Sequence, residues 1–263
     1  MQKFIGKPII ITGAGQGIGF TIARKLASEG APVLLNDIDP ILAERASQTI
    51  QDEGGDCFAF PGDASDIELI SGMVSTCVEK FGSLYAVVAN AGITTFGDFF
   101  TYTPESMQKL LQLNISGTFF LAQAAAIEMR KNNGGKILLM SSVTGIQAHK
   151  YLAAYSMTKA ALQMMAKNLV IELSPFNITI NSIAPGATIT ERTISMEPEY
   201  EQTWKTLTPL GKPATTDDIA DAAVFLLSSG AGHITGQTLV IDGGWTAVSP
   251  APGESHFKDV KNT

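Results

Sequence analysis

The stretch Lys7-Pro8-Ile9-Ile10-Ile11-Thr12-Gly13-Ala14-Gly15-Gln16-Gly17-Ile18-Gly19 decides the fold. Three consecutive isoleucines make a short β-branched run, the pattern of a strand covered on both faces. Glycines follow at once. Then Ile18, Ile22, Ala23 and Leu26 recur at helical spacing until Gly30 stops the pattern. Strand, glycine turn and helix in that order let backbone N–H groups approach a pyrophosphate, at a helix N-terminus carrying partial positive charge. The spacing G-x-G-x-x-G is not met: counted from Gly13 its third glycine falls on Ile18, and counted from Gly15 on Phe20. The spacing present is Thr12-Gly13-x-x-x-Gly17-x-Gly19. The plain alternative is a glycine-rich turn that holds no ligand.

Outward from this stretch, Pro32-Val33-Leu34-Leu35 reads as a second strand ending in Asn36-Asp37. Asp37 lies eighteen residues after Gly19, close to the separation of about 20 at which an acidic residue meets an adenosine ribose. Its carboxylate would accept from both ribose hydroxyls and repel a 2′-phosphate. No Arg or Lys stands in the glycine loop, where Gln16 sits, so the expected cofactor is NAD rather than NADP. The alternative, that Asp37 only starts a turn, is weakened because Asp39-Pro40 already supplies the cap and first turn of the next helix.

A second constellation carries chemistry. Tyr155 and Lys159 are four residues apart, and Ser142 precedes the tyrosine by thirteen. Residues i and i+4 share a helix face, so the ammonium can lie beside the phenol. A free tyrosine, with a pKa of about 10, is a poor base at neutral pH, and a neighbouring positive charge favours the phenolate. The pair would then shuttle protons near neutrality, while Ser142 would hold a carbonyl or carbinol oxygen. Any amphipathic helix can carry such a pair by chance, so the pair gains its meaning from the rest of the chain.

With these residues in hand, the chain resembles the short-chain dehydrogenase/reductase family, in its shorter single-domain branch, over roughly residues 5 to 245. The resemblance rests on the glycine motif from Thr12 to Gly19, on Asn90-Ala91-Gly92, on Asn114 within Leu113-Asn114-Ile115, on Ser142, Tyr155 and Lys159, and on Pro185-Gly186 followed by Thr188 and Thr190. Asp63, followed by Ala64, matches the acidic residue placed near an adenine. The resemblance implies a catalytic tetrad of Asn114, Ser142, Tyr155 and Lys159. Tyr155 is then the general acid/base. Lys159 tunes it and binds the nicotinamide ribose, Ser142 orients the reacting oxygen, and Asn114 holds a water that links Lys159 to solvent. It also implies a strand order 3-2-1-4-5-6-7. Gly13, Gln16, Gly17, Ile18, Gly19, Asp37, Asp63, Ala64, Asn90, Ala91, Gly92, Pro185, Gly186, Thr188 and Thr190, together with Tyr155 and Lys159, form the expected cofactor set.

The organisation agrees with an α/β doubly wound parallel sheet. Strands are expected near 8–12, 32–37, 57–60, 84–89, 135–140, 178–183 and 238–241, with helices near 18–29, 40–53, 66–81, 104–131, 153–174 and 217–229 between them. Such alternation gives a sheet covered on both faces, with ligands at the carboxyl ends of the strands. One domain is expected over 1–245, including a substrate lid at about 188–213, and a tail over 246–263. The tail is either disordered or crosses to a neighbouring subunit. The net charge of −7 argues against nucleic-acid binding. No uninterrupted apolar run reaches the ~18 residues of a membrane span. Cys57 and Cys77 lack ligand-like spacing to His149, His233 or His256, so the expectation is reduced thiols in a cytoplasmic protein with no catalytic metal.

The substrate pocket is expected from Thr94, Thr95 and Phe96, from Val143 to Lys150, from Ala187, and from the lid with Tyr200 and Trp204. Gln147, His149 and Lys150 suggest a polyhydroxylated or anionic substrate; equally, His149 and Lys150 read as solvent-facing loop residues. Helices 104–131 and 153–174 carry apolar residues on more than one face, which calls for cover on both sides. The family resemblance implies a helix bundle across a two-fold axis, usually within a homotetramer. The leading expectation is an NAD-dependent interconversion of a secondary alcohol and a ketone on a sugar, polyol or hydroxy acid. The alternatives are a 3-oxoacyl thioester reductase and a catalytically silent cofactor-binding protein.

Overall fold

The computed structural model describes residues 2–248. Seven parallel strands form one sheet in the order β3-β2-β1-β4-β5-β6-β7. They are β1 (Ile9–Ile11), β2 (Val33–Leu35), β3 (Cys57–Ala59), β4 (Ala86–Ala89), β5 (Gly135–Met140), β6 (Ile178–Pro185) and β7 (Thr238–Ile241). Side chains alternate across the sheet. Ile9 and Ile11 join one buried layer with Ile22 and Leu26 of α1 (Gly17–Ser28), Ile50 of α2 (Pro40–Asp52) and Leu226 of α10 (Thr216–Leu227). Ile10 points to the other face. There it meets the layer of Ile70 and Met73 from α3 (Ile67–Phe81), Leu121 from α5 (Thr118–Met129) and Leu162 from α6 (Ala153–Asn168). A sheet covered on both faces explains why its strands read as unbroken apolar runs.

The helix starts follow side-chain chemistry. Asp39 accepts from the backbone N–H of Ile41 and Leu42. Thr103 accepts from Ser106 N–H at the start of α4 (Pro104–Leu111). Thr215 and Asp218 exchange bonds in a capping box. Three regions depart from the expected elements. Between α4 and α5 the chain widens into a π turn, Gln112–Gly117, that contains Asn114. The lid expected at about 188–213 contains two short helices, α8 (Glu191–Met196) and α9 (Tyr200–Leu207). The single helix expected near 153–174 breaks after Asn168, and α7 (Val170–Leu173) follows.

One helix bears on the membrane-span expectation. The elements from Pro104 to Asn132 join into a continuous helix of 29 residues, with a window of mean hydropathy 1.4, so by length and composition it passes for a membrane span. Polar residues spaced along the helix hide this from a search for unbroken apolar runs. In the fold its α5 part packs against α3 and β4. Cys57 and Cys77 are buried and unpaired, and burial pushes their thiols up to about 11 and about 12. The tail expected over 246–263 falls, from residue 249 on, outside the described residues.

Candidate active site

Glycine geometry shapes the turn after β1. Gly13 and Gly17 have φ of +60° and +63°, conformations that side chains disfavour. A methyl at Gly19 would stand 2.4 Å from Gly13 O and 2.5 Å from Asn90 Nδ2. Asn90 is what closes the turn: its Nδ2 donates to Thr12 O and Gly13 O, while Thr12 Oγ1 accepts from the N–H of Asn90 and Ala91. Asp37 sits across the loop, with Oδ2 accepting from Gly15 N–H at 2.9 Å and Oδ1 from Asp39 N–H at 3.1 Å. A carboxylate has roughly four lone-pair sites, so capacity remains. Asn36, buried beside it, donates to Phe60 O and Gly62 O and so ties the end of β2 to the turn holding Asp63 and Ala64. Asp63 accepts from Ser65 N–H.

At the end of β5 a second set of bonds docks α6. Lys159 is buried, and its Nζ donates to Met140 O at 2.7 Å. Ser141 Oγ donates to Lys159 O, and Gln163 Nε2 donates to Ser141 Oγ and Ser142 O. Ser142 Oγ accepts from Thr144 N–H and Thr144 Oγ1. Both contacts use lone pairs, so the hydroxyl proton of Ser142 is left to donate elsewhere. Lys159 Nζ lies 5.5 Å from the ring centre of Tyr155. Asn114 is fully buried: Oδ1 accepts from Ile93 N–H, and Nδ2 donates to Ile93 O and Thr158 Oγ1. Its side chain is thus engaged by protein. Gly92 lies over this layer; a methyl there would stand 3.2 Å from Asn114 Oδ1 and 3.4 Å from Lys159 Nζ.

These groups open onto a cavity of about 460 Å³ at the carboxyl ends of the strands. Its wall contains Ser142, Tyr155 and Lys159; from the expected cofactor set it also contains Ile18, Asn90, Gly92, Pro185, Gly186, Thr188 and Thr190. Asn114 stands behind the wall. Gly13, Gln16, Gly17, Gly19, Asp37, Asp63, Ala64 and Ala91 lie outside that cavity, on or beside the glycine turn and the end of β3. Of the expected substrate residues, Thr94, Phe96, Val143, Thr144, His149, Ala187, Tyr200 and Trp204 line it. Thr95 and Gln147 do not. The Thr95 hydroxyl pairs with the Tyr102 hydroxyl, and Gln147 belongs to the turn that closes on Val143 O. Lys150 is likewise off the wall.

Several wall residues had no sequence signal: Leu152, Arg192, Glu197 and Trp245. Tyr200 is a second phenol on the wall. Its hydroxyl accepts from Thr188 N–H, and burial pushes it up to about 12. The hydroxyls of Thr188 and Thr190 are used within the lid, by Gly186 O and Thr193. Among the described residues no group of three or more His, Cys, Asp or Glu stands close enough to share a metal ion.

Residues 13–246 match a family model described as enoyl-(acyl carrier protein) reductase. The 7alpha-hydroxysteroid dehydrogenase of Escherichia coli K12 is 36% identical over 240 residues, which span 91% of this chain and 94% of that one. The chain belongs to the short-chain dehydrogenase/reductase family. Its sheet and helices superpose on a short-chain type dehydrogenase/reductase from Mycobacterium marinum with a TM-score of 0.89 and 28% identity, over 94% of this chain and 98% of that one. A 7 alpha-hydroxysteroid dehydrogenase solved with NADH and 7-oxo glycochenodeoxycholic acid gives a TM-score of 0.88 at 35% identity, covering 92% and 95% of the two chains. Together with alcohol-dehydrogenase relatives such as this one, membership supports an oxidoreductase of CH–OH groups.

Proposed function

We propose that this protein is an NAD-dependent dehydrogenase/reductase that interconverts a secondary alcohol and a ketone. The observation carrying the reading is the convergence of Ser142, Tyr155 and Lys159 on one cavity wall beside Gly92, Pro185 and Gly186. The turn after β1 fits a dinucleotide: its glycines leave open the space that side chains would fill, and Asp37 keeps acceptor capacity for ribose hydroxyls. Gly13, Gln16, Gly17, Ile18 and Gly19 would hold the pyrophosphate at the start of α1. Asp37 would take the adenosine ribose, and Asp63 and Ala64 would border the adenine. Asn90 to Gly92, Pro185, Gly186, Thr188 and Thr190 would flank the nicotinamide end. The chemistry that NAD(H) held there would supply is hydride transfer to or from the substrate carbon.

The chain's own residues handle the proton. The free O–H of Ser142 donates to the substrate oxygen and fixes it on the wall. The Tyr155 phenol gives a proton to that oxygen in reduction and takes it back in oxidation. Lys159, anchored on Met140 O, keeps a positive charge beside the Tyr155 ring and would reach the nicotinamide ribose. Asn114 acts through position: by gripping Ile93 and Thr158 it fixes the floor below Lys159. Tyr200 does not compete for the proton role, because its hydroxyl is committed to Thr188 N–H and stays protonated to about 12.

Substrate choice follows the wall. With Gln147 and Lys150 off it, the support for a sugar or polyol shrinks, while Phe96, Leu152, Met196, Trp204 and Trp245 supply apolar surface. Among the classes considered, a hydroxy acid with an apolar body fits this wall better. The description of the matching family model points to a thioester-bound substrate and keeps the second reading, a 3-oxoacyl thioester reductase, in view; the Asp37 carboxylate disfavours the 2′-phosphate of NADP on which 3-oxoacyl reductases typically depend. Exposed Leu111, Phe119, Ile127, Met164 and Phe176 on α4 to α7 and the turn after them support a homotetramer, to be measured by light scattering in solution. Fluorescence titration with NADH and NADPH, then a screen of hydroxy acids, polyols and oxoacyl thioesters at the nicotinamide absorbance, tests the whole. Preference for NADPH would reject the role given to Asp37, and turnover confined to thioesters would install the second reading.

A further inference from the structure

The charged side chains on the cavity wall are Lys159, Arg192 and Glu197, with His149 beside them. Three of these four are already engaged. Lys159 is buried and bonded to Met140 O. Glu197 Oε1 accepts from Thr203 Oγ1 at 2.7 Å. His149 Nδ1 lies 3.0 Å from Lys150 O. Arg192 differs. From α8 it reaches across the mouth, and one guanidinium nitrogen donates to Thr94 O at 3.2 Å. No carboxylate lies within ion-pair distance of it among the described residues. A guanidinium presents five donors in a planar fork, so most of that capacity is open on a wall that also carries the apolar side chains Phe96, Leu152, Trp204 and Trp245. The neighbouring Glu191 turns the other way, its Oε2 standing 3.7 Å from where a methyl on Gly17 would be.

We infer that Arg192 is the specificity-determining residue of this cavity, pairing with a carboxylate carried by the substrate at a distance from its reacting carbon. The body of the substrate would lie against Phe96, Leu152, Trp204 and Trp245. A planar fork suits a carboxylate in two parallel bonds, which a point charge cannot make. Exchange of the single Thr94 carbonyl for a two-oxygen partner gives acids an advantage over their neutral esters. A neutral sugar would leave the fork unused and press its hydroxyls against apolar rings, where they cost free energy.

The inference rests on the dehydrogenase reading for the word substrate, but its test does not need turnover. The chain contains two tryptophans, Trp204 and Trp245. Both line the cavity, with ring centres 5.5 Å apart. Intrinsic tryptophan fluorescence therefore reports on this cavity. The full chain, saturated with NAD⁺, is titrated with two matched pairs: cholate and its methyl ester, and 4-hydroxycyclohexanecarboxylate and its methyl ester. For at least one pair the acid should bind at least about tenfold more tightly than the ester, the scale of a hydrogen bond to a charged group. Arg192→Gln should bring the two within about threefold, and Arg192→Lys should fall between, with NAD⁺ affinity kept in both. Equal binding of acid and ester, preference for the ester, no binding of any probe, or an acid preference that survives Arg192→Gln overturns the inference. Selective binding of acids without turnover would instead sink the dehydrogenase reading and leave the role of Arg192 standing. Turnover of neutral alcohols with indifference to acids would do the reverse.

Discussion

The glycine turn and the lid border the same crevice but are held in different ways. Main-chain groups fix the turn: Thr12, Gly13, Ala14 and Gly15 are each bonded to Asn90, Asn36 or Asp37 through a backbone atom. The lid adds side-chain contacts to a few backbone anchors, Ile189 N–H to Ala214 O, Ala214 N–H to Ala187 O and Leu210 N–H to Gly243 O. Tyr200 reaches Thr188, Thr190 and Thr193 cap α8, and Tyr200, Trp204 and Trp245 stack edge to face or tilted. Ile194, Met196, Leu207 and Leu210 stay exposed on it. Backbone bonding constrains the turn wherever a side chain would enter, so few residue types are tolerated. Side-chain bonding leaves the lid free to change its surface without changing its path. The first arrangement suits a cofactor of fixed shape; the second suits a substrate that differs between enzymes of one fold.

Substitutions can break this contrast. The largest effect belongs to the junction of the two regions. Tyr155→Phe removes the oxygen proposed to exchange the proton and leaves the ring, so turnover should fall by about 10²- to 10⁴-fold. NADH affinity, measured by fluorescence titration, should stay near the wild-type value. Residual turnover close to normal would take Tyr155 out of the mechanism. Next is Gly19→Ala. Its methyl would meet backbone oxygen and the Asn90 amide at 2.4 and 2.5 Å, and overpacking of this kind costs about 1–3 kcal/mol. NADH affinity should weaken by roughly 5- to 150-fold, and the melting temperature should fall with it. A binding constant unchanged by the methyl would mean that the turn is softer than its bonds suggest.

In the lid the expected effects are smaller and of another kind. Tyr200→Phe deletes the acceptor for Thr188 N–H, a loss of about 1–3 kcal/mol where a buried donor is left unpaired. Denaturant unfolding should record it as a lower midpoint. In an absorbance titration the variant should also lack the phenol that ionises only at about 12. The Michaelis constant for substrate should rise more than that for NADH. Equal rises in both would show that the lid and the turn are one unit rather than two.

The same contrast explains what could be read from the chain. The turn was legible because its constraints are steric and local: a glycine at position 19 is required by atoms of Gly13 and Asn90, and that requirement leaves a spacing in the sequence. The strands were legible because burial on both faces demands runs such as Ile9–Ile11 and Val33–Leu35. The strand order came from family resemblance, since local pattern does not encode which strands pair. The π turn at Gln112–Gly117 left no mark, because one extra residue in a turn shifts hydrogen bonds without changing residue types. Arg192 and Trp245 were missed for a tertiary reason: which lid side chains face inward depends on how α8 and the segment after β7 dock. Ser141 and Gln163 act through side-chain bonds to α6 and to one another that no spacing announces.

Gln147→Ala tests the lower end of the scale. From sequence alone this amide was a pocket residue, since it follows Ser142 in a loop at the end of β5. In the fold that loop turns back on itself: Gly145 N–H reaches Ser142 O, and the N–H groups of Ile146 and Gln147 reach Val143 O. The turn carries Val143 and Thr144 onto the cavity wall and Gln147 away from it. Its backbone bond survives a change to alanine, and no side-chain hydrogen bond of Gln147 holds the loop among the described residues. The expected change in both kcat and the Michaelis constant is therefore less than about twofold, within the ±0.5 kcal/mol of an ordinary surface substitution. His149→Ala, two residues on and on the wall, supplies the contrast and should raise the Michaelis constant for substrate more than Gln147→Ala does. If the two variants behaved alike, the loop would move as substrate enters, and the division between wall and surface drawn from the free protein would not describe the working enzyme.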